Sequence, residues 1–400
     1  VTFIQFPMDE LILYPLALYY AWAVWRDQGK IAPILARSWI IMLFPMWCLI
    51  SPLWAVVPVT AFKKAVYLTL TMAICYQVAA TMSPRRILHG ILLATGIIGV
   101  INIVYAFGTG DLRTGIFVQK NYMGKYMVVL WVIASAVLLD RGSAWWIRVC
   151  ASGIAVIAVI MTFLSESATA VMLVAVTGLI NICGSLFLIG GLLRAGRIAA
   201  ICFCLSLVAG AGAIVIPSLQ KSPVEAVLNH FGKDTTLTGR TVLWDYAEDQ
   251  IAKEPWLGVG ENGFWRYRSS PLVQKLYEEF HKSPGDNFNF HNSYYEIAVH
   301  QGLIGLALAV MALIWGAWQV LRGALVLAGV AQIYFLTQTL TVLARTMTEA
   351  DFLKPFSLFH MILWIGALSA LSQLRSRRTA PRPVSLSGYR APLHRRPGSI

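Results

Sequence analysis

The chain has 400 residues, of which 58% are hydrophobic and only 13% charged, with 32 Lys and Arg against 19 Asp and Glu for a formal net charge of +13. Its mean hydropathy is +0.66. Repeated apolar runs long enough to cross a hydrocarbon core of about 30 Å exclude a soluble globular chain, and the lack of short alternating runs excludes a lipid-embedded barrel. The fold class is all-α: a polytopic membrane protein with about 11–12 transmembrane helices and one large, partly helical extracytoplasmic loop.

In chain order the apolar segments fall at 10–25, 38–55, 62–82, 87–107, 122–139, 147–164, 168–190, 198–217, 301–320, 324–345 and 356–374. The first is followed by Arg26 rather than a small-residue cleavage site, so no cleavable signal peptide is expected. Cys48, Cys75, Cys150, Cys183, Cys202 and Cys204 all lie inside apolar runs without a CxxC pattern. They are small core residues that imply no disulfide framework. The chain divides into N-terminal transmembrane helices (1–217), a large extracytoplasmic loop (218–300), C-terminal transmembrane helices (301–374) and a disordered basic cytoplasmic tail (375–400).

Orientation follows from the basic residues. Arg26, Lys30 and Arg37, then Arg85 and Arg86, Arg141 and Arg148, Arg194 and Arg197, Arg322, and the arginine-rich tail from Arg375 to Arg396 occupy alternate connections. Those connections are cytoplasmic by the positive-inside rule. The tail lies near anionic membrane lipids. Topology thus accounts for much of the net charge, and nucleic acid is excluded as a partner. With the C-terminus inside, an odd number of spans puts Val1 outside. The missing initiator Met suggests a further N-terminal helix, although an outside N-terminus satisfies the same counting.

The connections 52–61, 108–121, 165–169, 218–300 and 346–355 then share the extracytoplasmic face. There lie Lys63, Lys64, Arg113, Lys120, Lys125, Arg240, Arg266, Arg268, Arg345 and Lys354, basic residues the topology rule does not explain. Interface anchoring is the simplest account of Lys63, Lys64 and Lys354. The others suit an anionic ligand arriving from outside, since arginine forks match phosphate oxygens.

Within the large loop, Thr238 is placed to cap a helix running to about Lys253, which Pro255 ends; Trp244 and Trp256 suit an interfacial helix. Arg240 falls in its first turn, where the helix dipole favours anions, so a negative ligand would meet both its guanidinium and free amides. A second helix start lies at Ser293, with Glu296 at capping-box spacing and the apolar stretch Ile297 to Leu306 behind it. His291 and Asn292 stand just before it, where a neutral imidazole can take up a proton. The spacing of His230, His281 and His300 matches no metal motif, so no metal site is expected. Gly258-Val-Gly260-Glu-Asn-Gly263 matches GxGxxG by letter but lacks a βαβ context, and reads as a turn returning Trp256 and Phe264 to the interface.

The stretch Thr238 to Phe264 (TGRTVLWDYAEDQIAKEPWLGVGENGF), followed by His291 to Leu306 (HNSYYEIAVHQGLIGL), resembles the paired loop motifs of the O-antigen ligase and polymerase superfamily. Phe117 to Met127 and Leu164 to Met172 are similar to its earlier motifs. The resemblance implies a GT-C type membrane glycosyltransferase that moves a glycan from undecaprenyl pyrophosphate to a hydroxyl, with no metal or cofactor. It implies His291 and Arg240 as the catalytic pair and Lys120, Arg266, Arg345 and Arg113 as diphosphate ligands. Asn121, Asn292, Glu349 and Asp351 are implied as supporting groups. Where many members carry Ser-Arg, this chain has Ser167-Ala168, so the role of that arginine is either absent here or supplied by another residue such as Arg113 or Arg266. The expected reaction inverts the anomeric centre. It carries O-antigen to lipid A-core oligosaccharide at the periplasmic face of the bacterial inner membrane. A polymerase of the same superfamily is the alternative, and a protein O-oligosaccharyltransferase a more distant one. A lipid-linked glycan transporter would show charges or broken helices near mid-membrane, whereas here the charges crowd at one face.

Overall fold

The computed structural model describes residues 10–117, 119–185, 238–284 and 288–379. Among them every regular element is helical: α1 Glu10–Arg26, α2 Gln28–Ser38, α3 Leu43–Ile50, α4 Pro58–Thr81, α5 Pro84–Thr109, α6 Lys120–Leu139, α7 Trp145–Leu164 and α8 Ala168–Gly184 precede the large loop. The loop carries α9 Thr238–Lys253 and α10 Pro271–Glu279; α11 Ser293–Leu327, α12 Val330–Thr346 and α13 Leu358–Thr379 follow.

Among the described residues six helical stretches are long and apolar enough to cross a membrane: Gln28–Leu53, Pro84–Thr109, Lys120–Leu139, Trp145–Leu164, Ser293–Leu327 and Leu358–Arg377. The chain is a multi-pass membrane protein. Of the other expected segments, α1, α8 and α12 have 17 residues each, and α4 carries Lys63, Lys64 and Gln77. The segment 198–217 and most of the tail lie outside the described residues. The stretch expected at 38–55 begins earlier, at Gln28, because Asp27 gathers the side chains of Arg26, Lys30 and Gln77 and so satisfies its polar start.

Burial separates the centre of the bundle from its rim. In α6, 72% of the apolar window is buried, against 28% in α7, so α6 is central and α7 presents most of its surface outward. Helix α6 packs on α5, α7, α8 and α12, while α13 packs on α4, α11 and α12.

Polar contacts sort the connections into two ends as the basic residues predicted. At one end Arg85 pairs with Asp140 at 2.9 Å, His89 meets Ser143 at 2.8 Å, and Arg377 donates to the carbonyl of Val326 at 3.1 Å. At the other end Val56 N donates to the Val259 carbonyl at 3.0 Å, Ser293 Oγ to the Glu349 carbonyl at 2.6 Å, and Lys125 to Asp351 at 2.6 Å.

Helix α11 departs most from expectation. A straight helix of its 35 residues would run about 52 Å, well beyond a hydrocarbon core, but the backbone breaks at Gly302 with φ 68° and ψ −179°. The break leaves amides and carbonyls that lipid cannot satisfy. The turn Pro255 to Gly260 fills it: Val259 N and Gly260 N donate to the carbonyls of Val299 and His300 at 3.0 and 2.8 Å, and Leu303 N donates back to Pro255 at 2.7 Å. Trp47 Nε1 donates to the Gln301 carbonyl at 3.0 Å. Backbone meets backbone so closely that a Cβ on Gly302 would lie 2.0 Å from the Trp256 carbonyl oxygen. The glycine-rich turn therefore plugs a helix break, and of its two flanking aromatics only Trp256 is exposed while Phe264 is buried. A broken helix is thus present, a feature the sequence analysis associated with transporters, and its break is filled by the backbone of the turn.

Candidate active site around His291

The loop has its own core, separate from that of the bundle. Leu243, Ala247, Phe264, Val273, Leu276, Tyr277, Phe288 and Phe290 cluster there with Val299 from α11. Phe290 is fully buried, its ring 5.0 Å from Phe264 and 4.6 Å from Trp265. Two residues on, Asn292 caps α11, its Oδ1 accepting from Tyr294 N at 2.9 Å and Tyr295 N at 3.3 Å. His291 must join an inward-pointing Phe290 to a cap, and takes the left-handed conformation at φ 50°. Such a backbone is uncommon for a residue with a Cβ and is found disproportionately at functional positions.

The expected capping box is rearranged. Asn292, not Ser293, is the N-cap, and Glu296 reaches past it to accept from Phe290 N at 3.0 Å and Trp265 Nε1 at 3.2 Å. Ser293 is freed to tie the helix start to the connection after α12, donating to the Glu349 carbonyl and accepting from Phe352 N at 3.2 Å. That tie sets the Glu349 carboxylate Oε2 3.9 Å from His291 Nδ1. The separation exceeds hydrogen-bond reach, so the contact is electrostatic. His291 and Glu349 side chains are 36% and 32% exposed, so a substrate can reach them. Burial opposes ionisation of Glu349, but His291 and the charge of Arg345 outweigh it and hold the carboxyl below the usual glutamate value.

Behind the pair lies a buried ion cluster. Asp351 accepts from Lys125 at 2.6 Å and from Arg345 at 2.9 Å, while Glu349 N donates to the Arg345 carbonyl at 2.8 Å. Against the cost of burial, Arg345 and Lys125 hold the Asp351 carboxyl far below the usual aspartate range. Arg345 is 9% exposed and lies over the Phe359 ring at 5.2 Å, so it is committed to the cluster rather than presented as a diphosphate ligand. Lys125, expected among the cations that suit an anionic ligand, is instead paired with Asp351. Its signal was its i+4 spacing from Asn121, which places both on one face of α6.

Asn121 accepts from Ser167 Oγ at 3.3 Å, which joins the two early motifs. Next to Ser167, Glu166 pairs with the half-exposed Arg113. Arg113 is thus held, through Glu166, two residues before Ala168 in the sequence. Arg266 instead folds back, Nε donating to the Gly263 carbonyl at 3.0 Å. Lys120 is half-buried at the first position of α6.

Arg240 is half-buried in α9, one turn before Trp244. Trp244 Nε1 donates to the Phe290 carbonyl at 2.9 Å, and its ring stacks on Tyr295 at 5.7 Å. Trp244 is therefore a docking residue, not an interface anchor, and it runs the start of α9 past the residue preceding His291. Residues four apart share a helix face, so Arg240 and Trp244 lie on the same side.

Fold and site together define a polytopic helical membrane protein with a histidine–carboxylate pair and several cations gathered at one end of its bundle. A family model described as O-Antigen ligase matches residues 153–310, a range that includes α9, the glycine turn, His291 and the helix break. The chain is also 28% identical over 386 residues to the exopolysaccharide production protein ExoQ of Rhizobium meliloti, covering 91% of this chain and 84% of that protein. Both similarities support the O-antigen ligase superfamily, membrane enzymes of the glycan ligase and polymerase type.

Proposed function

We propose that this protein transfers a glycan from undecaprenyl pyrophosphate to a sugar hydroxyl at the periplasmic face of the bacterial inner membrane. The observation that carries the reading is the exposed His291 facing the Glu349 carboxylate at the start of a capped helix. Glu349 would favour the tautomer with hydrogen on Nδ1, leaving Nε2 to take the acceptor proton. As that oxygen forms its bond to the anomeric carbon from the opposite face, the carbon–oxygen bond to pyrophosphate breaks and the electron pair leaves with the phosphate. Arg240, assisted by Lys120 and Arg113, would steady that charge. The donor is already activated, so a base and a set of cations suffice.

Two acceptors each have a supporting observation. The matching family model, described as O-Antigen ligase, favours ligation, for which lipid A-core is the acceptor the sequence resemblance implies. Similarity to an exopolysaccharide production protein over 91% of the chain favours a second lipid-linked glycan, which makes the enzyme a polymerase. The longer match weighs more, and polymerisation is the reading we favour.

The test gives purified protein the undecaprenyl-pyrophosphate glycan alone, or with lipid A-core, and resolves the products on a gel. Lengthening of the donor lipid supports polymerisation; a new band only with lipid A-core supports ligation. His291→Ala and Arg240→Ala are each expected to abolish transfer while the protein still inserts. Near-normal activity in either variant removes that residue from the mechanism.

A further inference from the structure

The peptide that joins Phe290 to His291 has both of its polar atoms engaged. Its carbonyl accepts from Trp244 Nε1 at 2.9 Å, and its N–H donates to Asn289 Oδ1 at 2.9 Å. On the far side of His291 the chain is tied down by the Asn292 cap. The φ of His291 is the rotation that relates this peptide plane to the rest of the residue. A fixed plane and a fixed cap together therefore hold φ at 50°, and with it the direction in which Cβ carries the imidazole toward Glu349.

A left-handed backbone at a residue with a Cβ persists only where its surroundings over-determine it. The Asn289 contact is local and would turn with the peptide it serves. The Trp244 contact comes from 46 residues away on α9, so it is the one that refers this peptide to another element. Trp244 is itself held. Leu243 and Ala247 beside it are buried in the loop core, its ring stacks on Tyr295 at 5.7 Å, and Glu248 one turn on accepts from the Tyr295 hydroxyl at 2.6 Å. An indole nitrogen can only donate, so the contact with the Phe290 carbonyl has one polarity.

We propose that Trp244 is a positioning residue: its indole N–H locks the peptide before His291 and thereby holds the imidazole in the backbone conformation from which it faces Glu349. That the imidazole so held is the base of a transfer rests on the reaction proposed above; the lock on its backbone does not. Helix α9 also carries Arg240 one turn before Trp244, so a single contact sets the base and the cation in one frame.

The experiment uses full-length protein in nanodiscs and two readouts. One is transfer kinetics; the other is carbethoxylation of His291 by diethyl pyrocarbonate, followed by mass spectrometry against the exposed His281 as internal reference. Trp244→Phe keeps an aromatic ring on Tyr295 and removes the donor. It is expected to lower kcat about tenfold with a smaller change in KM, because α9 stays docked through the loop core while the base is released. His291 is expected to be modified several-fold faster, since the freed imidazole leaves Glu349, while His281 keeps its rate. Asn289→Leu frees the other atom of the same peptide and is expected to slow transfer as well, whereas Asn289→Asp keeps an acceptor and most of the activity. Once either bond is lost the plane can turn, so the double variant Trp244→Phe/Asn289→Leu is expected to be little slower than the slower single; independent structural losses would multiply. If Trp244→Phe does not insert, Tyr295→Leu, which removes the ring that orients the indole, serves in its place with the same expectation for His291. An unchanged rate of His291 modification, or losses that multiply in the double variant, overturns the proposal. Faster modification of His291 on substitution of Trp244, in a protein that transfers nothing, would sink the catalytic reading and leave the lock standing.

Discussion

His291 Nδ1 and Glu349 Oε2 stand 3.9 Å apart although they come from segments on opposite sides of α11 and α12 in the sequence, and the Ser293 hydroxyl is what holds the two segments together. An imidazole that faces a carboxylate with one nitrogen has its other nitrogen directed away from it. Glu349→Gln is expected to lower kcat by about 10- to 100-fold with little change in KM, because orientation of the base matters to the transition state and not to donor binding. Steady-state transfer kinetics check this; an equal rise in KM with unchanged kcat would argue that Glu349 binds substrate instead.

Gly302 at the break of α11 admits no side chain. Its φ is 68° and a Cβ would sit 2.0 Å from the Trp256 carbonyl oxygen and 2.3 Å from its carbon. Both atoms are backbone, so nothing flexible can give way. Gly302→Ala is expected to expel the Pro255 to Gly260 turn, with a large fall in unfolding temperature and loss of activity. Gly90→Ala in α5, where nothing lies within 4 Å, is the control, and is expected to be neutral or stabilising by up to about 1 kcal/mol. Thermal unfolding in detergent reads both.

Asp351 sits between Lys125 and Arg345, and removing its charge leaves two buried cations unpaired. Asp351→Asn is expected to destabilise by about 3–5 kcal/mol, the usual loss when one partner of a buried pair is removed. The carboxyls of Asp351 and Glu349 are both depressed in the folded protein. Their contribution to stability is therefore complete above the unfolded carboxylate values, and is lost as pH falls below about 4 toward the folded values. Unfolding temperature measured from pH 7 down to pH 3 should drop through that window, and a flat profile would remove the ion cluster as a source of stability.

Arg113 meets Glu166 at a site where both side chains are about half exposed, 56% and 52%. Such a pair contributes little to stability. Arg113→Ala is expected to leave the unfolding temperature unchanged yet to lower transfer by about 10-fold if its guanidinium replaces the missing family arginine. Full activity in this variant would return the question to the remaining cations.

Much of this architecture is legible in the primary structure because the bilayer acts locally. Hydrocarbon demands an apolar run wherever the chain crosses it, and positive charge marks one side, so the helical segments and the two groups of connections could be read directly from residues such as Arg85 and Arg141. The helix start near His291 was legible for the same reason, since caps and breakers act within a turn. Site residues were recovered less evenly. His291 and Asn292 announced themselves by sitting at a cap, whereas Arg345 looked like a ligand for phosphate and is instead enclosed by Asp351 and Phe359.

What sequence alone determined, then, is a helical membrane protein with its unusual charges at one end and a histidine at a helix start. Only the tertiary structure decided that Lys125 closes on Asp351, 226 residues away, that Asn292 rather than Ser293 caps α11, and that a glycine turn fills a break at Gly302. Periodicity and capping are properties of neighbouring residues. Pairing across the bundle depends on which helices pack together, and no local pattern records that choice.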